Sequence, residues 1–364
     1  MKKRCFALIA ALLLICLLAG CGNGAVTGGD DEAGNEKIYK VAVLLPFIGD
    51  QSYFDSVNSG RLAVEAYPNV ETTLIEMTDD TSKWEGFYLD ACDAGYDLIV
   101  GGNVQAEGFL YKCAKEFPDQ LFYNFDYENH EDYPNVYANT YDIAEGGYVA
   151  GVLASLVTLS DMPNVNADAA IIGVVLGMDI PGMNEFVGGF CQAADLYGVK
   201  VIVGYTDSFS DAGKGKEIAS NMYSQGADVV WQVAGGAGLG VFEAAAEAGR
   251  YSIGVDTDQV ITMSGKPELA ATILSSMIKD CGSGVKNAVD LLIAGQFPTG
   301  AEKIGLKVGA VGLVDNDQYR TLVPQEIRDE VAQAAQDVID GKIQLIHARD
   351  DQEAWENIKN KVKP

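Results

Sequence analysis

The sequence predicts two doubly wound α/β lobes, built one after the other along the chain. Three observations carry that prediction. Near-continuous apolar runs alternate with amphipathic segments from residue 38 onward, the pattern of parallel strands covered on both faces by helices. The alternation restarts after residue 141, giving a second unit of similar size. The chain has 364 residues and is 48% hydrophobic, enough to bury two cores of ordinary size.

In the first unit, "YKVAVLLPF" (39–47) reads as a strand, "YFDSVNSGRLAVEAY" (53–67) as a helix and "VETTLIEM" (70–77) as a strand. A helix over 84–95, a strand over 96–102, a helix over 106–118 and a strand over 120–126 follow. The second unit opens with a helix over 141–157 and a strand "DAAIIGVVLG" (168–177). It continues with a helix over 183–198, a strand over 200–207, a helix over 215–226 and a strand "ADVVWQVAG" (227–235), then a helix over 239–249 and a strand "YSIGVD" (251–256). A tail adds a strand over 269–276, a helix over 281–295, a short strand within 308–315 and a helix over 324–341. No short-period repeat is visible.

Charge and the N-terminus narrow the function. The formal net charge is −27, with no basic surface for nucleic-acid phosphates or anionic lipid. Lys2, Lys3 and Arg4 precede an apolar run, "CFALIAALLLICLLAG", that reads as a secretory signal over 1–20. The run ends in "LAGC" (18–21), which resembles the lipobox of bacterial lipoproteins and implies lipidation of Cys21. Residues 21–37, rich in Gly, Asp and Glu, read as a flexible tether. The expected location is therefore the extracytoplasmic face of the cell membrane. Cys92, Cys113, Cys191 and Cys281 lack metal-ligand spacing, and His130 and His347 are the two histidines, so no metal site is expected. Disulfides and buried thiols both remain open for the four cysteines.

Ligands of open parallel sheets bind beyond the carboxyl ends of the strands. The strand tails here carry aspartates, glycines, amides and aromatics, including "FDYEN" (125–129), "TDSFSD" (206–211) and "DTDQ" (256–259). No nucleophile elbow or zinc-protease motif is present, and "GGAGLG" (235–240) is out of register with a dinucleotide fingerprint. No cofactor and no enzymatic activity are expected. Carboxylates to accept hydroxyls, flat apolar rings and close-approach glycines suit a neutral polar ligand.

The stretches "AEGGYVAGVLASL" (144–156), "IGVVLGMDIPGMNEFVGGF" (172–190), "YTDSFSDAGKGKEIA" (205–219), "GADVVWQVAGGAGLGVFEAA" (226–245) and "IGVDTDQ" (253–259) together resemble the basic membrane protein family. These are the purine-nucleoside-receptor-like lipoproteins of bacterial ABC transporters. The resemblance runs from about residue 40 to about 320. It implies a type I periplasmic-binding-protein-like fold, with a ligand cleft between lobes of 38–142 plus about 261–305 and 143–260 plus about 306–364. It implies a nucleoside ligand and a permease partner; the alternative is a receptor for another small polar ligand, such as a sugar or signalling molecule. By position, Tyr53 and Phe209 match base-stacking aromatics and Asp50 an acid near the base. Asp126 and Asp256 match ribose-binding acids, Gly236 and Gly238 a glycine loop facing the sugar, and Lys279 a ribose-contacting lysine. Phe54 stands where the family commonly has Asn, so an amide that could bond the base edge is replaced by a ring. Asp258 is expected to cap the turn after Asp256 or the hinge.

Overall fold

Strand and helix alternate from the first described element, β1 (Tyr39–Leu45), as its unbroken apolar run requires. The computed structural model describes residues 37–364 apart from 79 and 167; the signal segment, Cys21 and the tether as far as residue 36 lie outside the described residues. After β1 come α1 (Tyr53–Glu65), β2 (Val70–Glu76), α2 (Trp84–Asp93), β3 (Leu98–Gly101), α3 (Glu107–Glu116), β4 (Leu121–Asn124) and β5 (Val136–Tyr141). The chain continues through α4 (Ile143–Thr158), β6 (Ile171–Leu176), α5 (Pro181–Tyr197), β7 (Lys200–Tyr205), α6 (Ala212–Ser224), β8 (Ala227–Val233), α7 (Leu239–Ala248) and β9 (Tyr251–Asp256). Short helices α8 (Gln259–Thr262) and α9 (Pro267–Ala270) lead to β10 (Ile273–Lys279). Then follow α10 (Cys281–Ile293), β11 (Gly300–Ile304), β12 (Val311–Leu313), α11 (Asp317–Leu322), α12 (Gln325–Ile339) and α13 (Gln352–Val362).

Among the described residues the strands form two six-stranded sheets, ordered β11-β5-β4-β3-β1-β2 and β12-β10-β9-β8-β6-β7. Every pairing is parallel except β10 with β12. In each sheet the first strand lies between the second strand, at the edge, and the third. The winding direction therefore reverses at β1/β3 and at β6/β8, and a crevice opens at such switch points.

One boundary needs correction. The resemblance implies that about 261–305 belongs with the first lobe. β10 instead pairs with β9, Ile278 beside Asp256, so the chain stays in the second sheet until Lys279. Its expected span of 269–276 also shifts, because Pro267 starts the short helix α9 and delays the strand. The chain thus crosses between lobes at Asp142, at Asp280 and near Gly305. These crossings lie together: Asp142 N donates to Ile304 O at 2.7 Å and Asp280 N to Ala310 O at 2.9 Å.

Strand β5 and the edge strand β11 were not anticipated. Buried β5 carries polar residues satisfied within the core, as when Asn139 accepts from the Tyr123 hydroxyl at 2.8 Å. Helix α13 also extends the expected fold, burying Trp355, Ile358 and Val362 along one face against α5. Helices α4 and α5 approach closely because glycines line their contact: a Cβ on Gly147 would lie 2.0 Å from Phe186 O. Cys92, Cys113, Cys191 and Cys281 are all buried free thiols. Among the described residues no helix is long and apolar enough to cross a membrane.

Candidate ligand-binding site

Both switch points face one cavity of about 300 Å³, at the lower end of the range for small-molecule sites. Pro46, Phe47 and Asp50 reach it from beyond β1 and Asn103 from beyond β3. Met178 and Ile180 reach it from beyond β6, and Val233 and Gly235 from the end of β8. Strand order alone therefore accounts for where the cavity sits.

Its polar floor lies between the lobes. Asp126, beyond β4, accepts from the Tyr53 hydroxyl at 2.8 Å and from the Lys279 ammonium. That ammonium is buried at the end of β10, 4.8 Å from the Tyr53 ring centroid and 5.3 Å from that of Tyr141. Burial opposes its charge, but the neighbouring groups, Asp126 foremost, together raise its pKa above the ordinary lysine value. Asp256 ends β9 with φ +66°, a left-handed conformation that Asp and Asn tolerate better than most residues. Such local strain is typical of functional positions. The Asp256 carboxylate is buried and accepts from the Ser52 hydroxyl of the opposite lobe. Burial pushes its pKa up to about 7 against the stabilising bond from Ser52.

Asp258, two residues on, accepts from Val260 N at 3.1 Å and caps α8, as expected. The two acids of "DTDQ" thus divide: one faces the cleft and the other holds the turn.

Asp50 also lines the cavity, but its buried carboxylate accepts from the amides of Ser52, Phe54 and Asp55 at 2.9–3.1 Å. Burial raises its pKa although those three bonds favour the charge. It organises the start of α1 as well as the cavity wall. Tyr53 and Phe54 contribute apolar wall from that turn, with ring centroids 5.1 Å apart. Phe209 faces the cavity from the second lobe and lies over Gly177, where a Cβ would sit 2.1 Å from the ring.

Seven of the nine ligand residues picked from sequence, Asp50, Tyr53, Phe54, Asp126, Phe209, Asp256 and Lys279, line this cavity. Gly236 and Gly238 do not. The turn Gly235–Gly238 directs Gly235 to the cavity and packs Gly238 on Gln232, where a Cβ would lie 1.7 Å from Oε1. Trp84, Asn103, Glu128 and Arg349 line the cavity and were not picked. Asn103 and Glu128 belong to strand tails, a usable signal; Trp84 and Arg349 carry no such mark.

One group of potential metal ligands exists among the described residues: Asp142, Glu185 and His347, with ligand atoms within 4.8 Å of one another. Its charges are already partnered. His347 Nδ1 is 2.6 Å from Glu185 Oε1, and Lys303 lies 2.7 Å from Asp142 Oδ2. The Glu185 bond raises the His347 pKa.

The chain is similar to several known proteins. It is 32% identical over 362 residues to the ABC transporter nucleoside-binding protein BmpA of Lactococcus lactis subsp. cremoris, covering 94% of this chain and 99% of that protein. It is 27% identical over 331 residues to basic membrane protein A of Borreliella burgdorferi, covering 86% and 89%. A solute-binding protein of an ABC transporter system from Aeropyrum pernix K1 shares the fold, with TM-score 0.77, 24% identity and coverage of 89% and 97%. A periplasmic solute-binding protein from Actinobacillus succinogenes with bound D-allose is more distant, with TM-score 0.58, 12% identity and coverage of 78% and 100%. These likenesses and the paired sheets give a type I periplasmic-binding-protein-like fold. The family model for PnrA-like ABC transporter substrate-binding proteins, Bmp, matches residues 38–344, and the chain belongs to that family.

Proposed function

We propose that this substrate-binding protein captures nucleosides, purine nucleosides foremost, outside the cytoplasmic membrane and delivers them to an ABC permease. The observation that carries this reading is the polar floor: Asp126, Asp256 and Lys279 converge on one cavity whose walls are aromatic from both lobes. Ribose offers vicinal hydroxyls that two carboxylates can accept and a lysine can donate to. The base occupies the apolar part, between Phe209 and the Tyr53–Phe54 pair. The name of the Lactococcus relative supports the same ligand class. Replacement of the family's usual Asn by Phe54 favours ring contact over reading of the base edge. Lipidation at Cys21 holds the protein at the membrane, as the lipobox-like "LAGC" suggests.

On this reading the groups of the site hold the ligand by hydrogen bonds and ring contacts, and the ligand is released unchanged. Mass spectrometry of small molecules released from the purified, denatured protein tests both points. Intact nucleoside is expected. A sugar or another polar metabolite would replace the ligand assignment, and free base with ribose would make the protein an enzyme.

A further inference from the structure

We infer that Glu128 and Arg349 form a charged latch between the lobes, closing the cleft over its ligand and slowing its escape. Arg349 lies beyond residue 344, where the family match ends. The segment carrying it runs along one face of α5. Gln192 Oε1 accepts from Ile346 N at 3.1 Å, and Gly188 leaves room for Ile346 O, which a Cβ there would approach to 2.6 Å. One turn nearer the N-terminus, Glu185 accepts from Arg349 N at 3.0 Å and pairs with His347. Positions 185, 188 and 192 share one helical face, so the segment is fixed to the second lobe and delivers Arg349 to the cavity.

Glu128 is presented from the first lobe in the same manner. Buried Glu107, at the start of α3, accepts from Glu128 N at 3.0 Å and Asn129 N at 3.3 Å. With its backbone held from behind, the Glu128 carboxylate reaches across the cleft. Its Oε1 lies 3.6 Å from an Arg349 guanidinium nitrogen and fills the space above Gly182, where a Cβ would sit 1.8 Å away. Gly182 lies in the first turn of α5, whose positive end favours a carboxylate. Arg349 also lies 3.5 Å from Thr140 Oγ1 of the first lobe, and its buried Nε has no hydrogen-bond acceptor. The backbone of Arg349 is thus held by its own lobe, and its guanidinium is directed to groups of the other.

Both partners are about one-quarter exposed, so each single loss should speed ligand release only about two- to fivefold. The test rests on the nucleoside reading and uses Trp84, in the cavity wall, as a fluorescent reporter of occupancy. Release of inosine or adenosine is timed for wild type, Glu128→Gln, Arg349→Met and the double variant. The latch predicts that either single variant releases ligand faster and that the double variant is no faster than the singles. It also predicts that added salt speeds release from wild type more than from the double variant. Additive effects, or rates unchanged in all variants, would overturn it. Hydrogen exchange of the ligand-free proteins separates this failure from failure of the ligand assignment. If wild type binds no nucleoside, that assignment falls. The latch then stands if residues 126–130 and 180–184 lose protection equally in the three variants, and falls if protection is unchanged.

Discussion

If the ligand is a nucleoside, as proposed, Asp256 should make its binding a proton-linked event. Its pKa is raised to about 7 by burial, so at pH 6 roughly nine-tenths of the carboxyl is protonated. Ribose hydroxyls donate to the charged form and stabilise it. Affinity should therefore rise as pH increases through about 7. Below that value it should fall by up to about tenfold per pH unit, the limit for one linked proton. The effect on stability has the opposite sign. A carboxyl whose folded-state pKa lies above its unfolded value stabilises the fold fully only below the unfolded pKa. That contribution is lost as pH rises through about 7. The perturbation of choice is Asp256→Asn, because Asn tolerates the left-handed φ of +66° and keeps the side-chain shape. It exchanges charge-assisted bonds of about 1.5–3 kcal/mol for neutral ones of about 0.5–1.5 kcal/mol, so at pH 8 affinity should fall about tenfold or more, 1.4 kcal/mol being one decade. Calorimetric titration from pH 5.5 to 8.5, in buffers of different ionisation enthalpy, measures affinity and proton release together. The same pH slope in wild type and Asp256→Asn would assign the linkage elsewhere, with Asp50, whose pKa burial also raises, the first group to examine. A 2′-deoxynucleoside that binds wild type as tightly as the ribonucleoside would remove the 2′-hydroxyl from the contact.

Three further outcomes are expected. Cys21→Ala should release the protein from membranes or leave an uncleaved precursor, which detergent partitioning and the mass of the product will show. Phe209→Ala should weaken nucleoside binding by about 1–3 kcal/mol, the range for one stacked base, with little change in melting temperature; equal affinity would take Phe209 out of the base site. Gly60→Ala should destabilise the first lobe by about 1–3 kcal/mol through overpacking, since its Cβ would lie 2.3 Å from Gly282 O where α1 meets α10; denaturant unfolding checks it.

How far the sequence reached follows from what local pattern can encode. The central parallel strands were legible because burial on both faces demands unbroken apolar runs such as "KVAVLL" and "IIGVVL". β5 escaped because its buried Asn139 is satisfied by Tyr123 on the neighbouring strand β4 and by Tyr137 on its own strand, and the cross-strand partner leaves no mark in the local pattern. β11 is a short edge strand with charged, exposed positions, where burial imposes no pattern. Helix α13 was legible and went unread: Trp355, Ile358 and Val362 stand at helical spacing. Within the site, the rule that open sheets bind at their carboxyl edges pointed to strand tails rich in acids and aromatics, and the family resemblance singled out Asp50, Tyr53, Asp126, Phe209 and Asp256 among them. Gly236 and Gly238 did not reach the cavity, because a glycine can serve packing as readily as ligand approach. Arg349 was beyond local reading, since its place depends on a C-terminal segment folding back along α5.

The course of the chain between the lobes ties the site to their relative position. Lys279 is the last residue of β10, and Asp280 makes the crossing into α10. Asp126, the acceptor of its ammonium, belongs to the other lobe. Ser52 and Asp256 likewise sit on opposite lobes, and Gln259 Nε2 donates across to Gln51 O at 3.0 Å. The groups best suited to a ribose are therefore the groups that span the cleft. A ligand that engages Asp126 and Asp256 together must draw on both lobes, and so binds the closed arrangement more tightly than an open one. Differential affinity of that kind is what shifts a conformational equilibrium. Ligand capture and the closed surface available to a permease then follow from one set of contacts, with Lys279 placed where the chain itself passes from one lobe to the other.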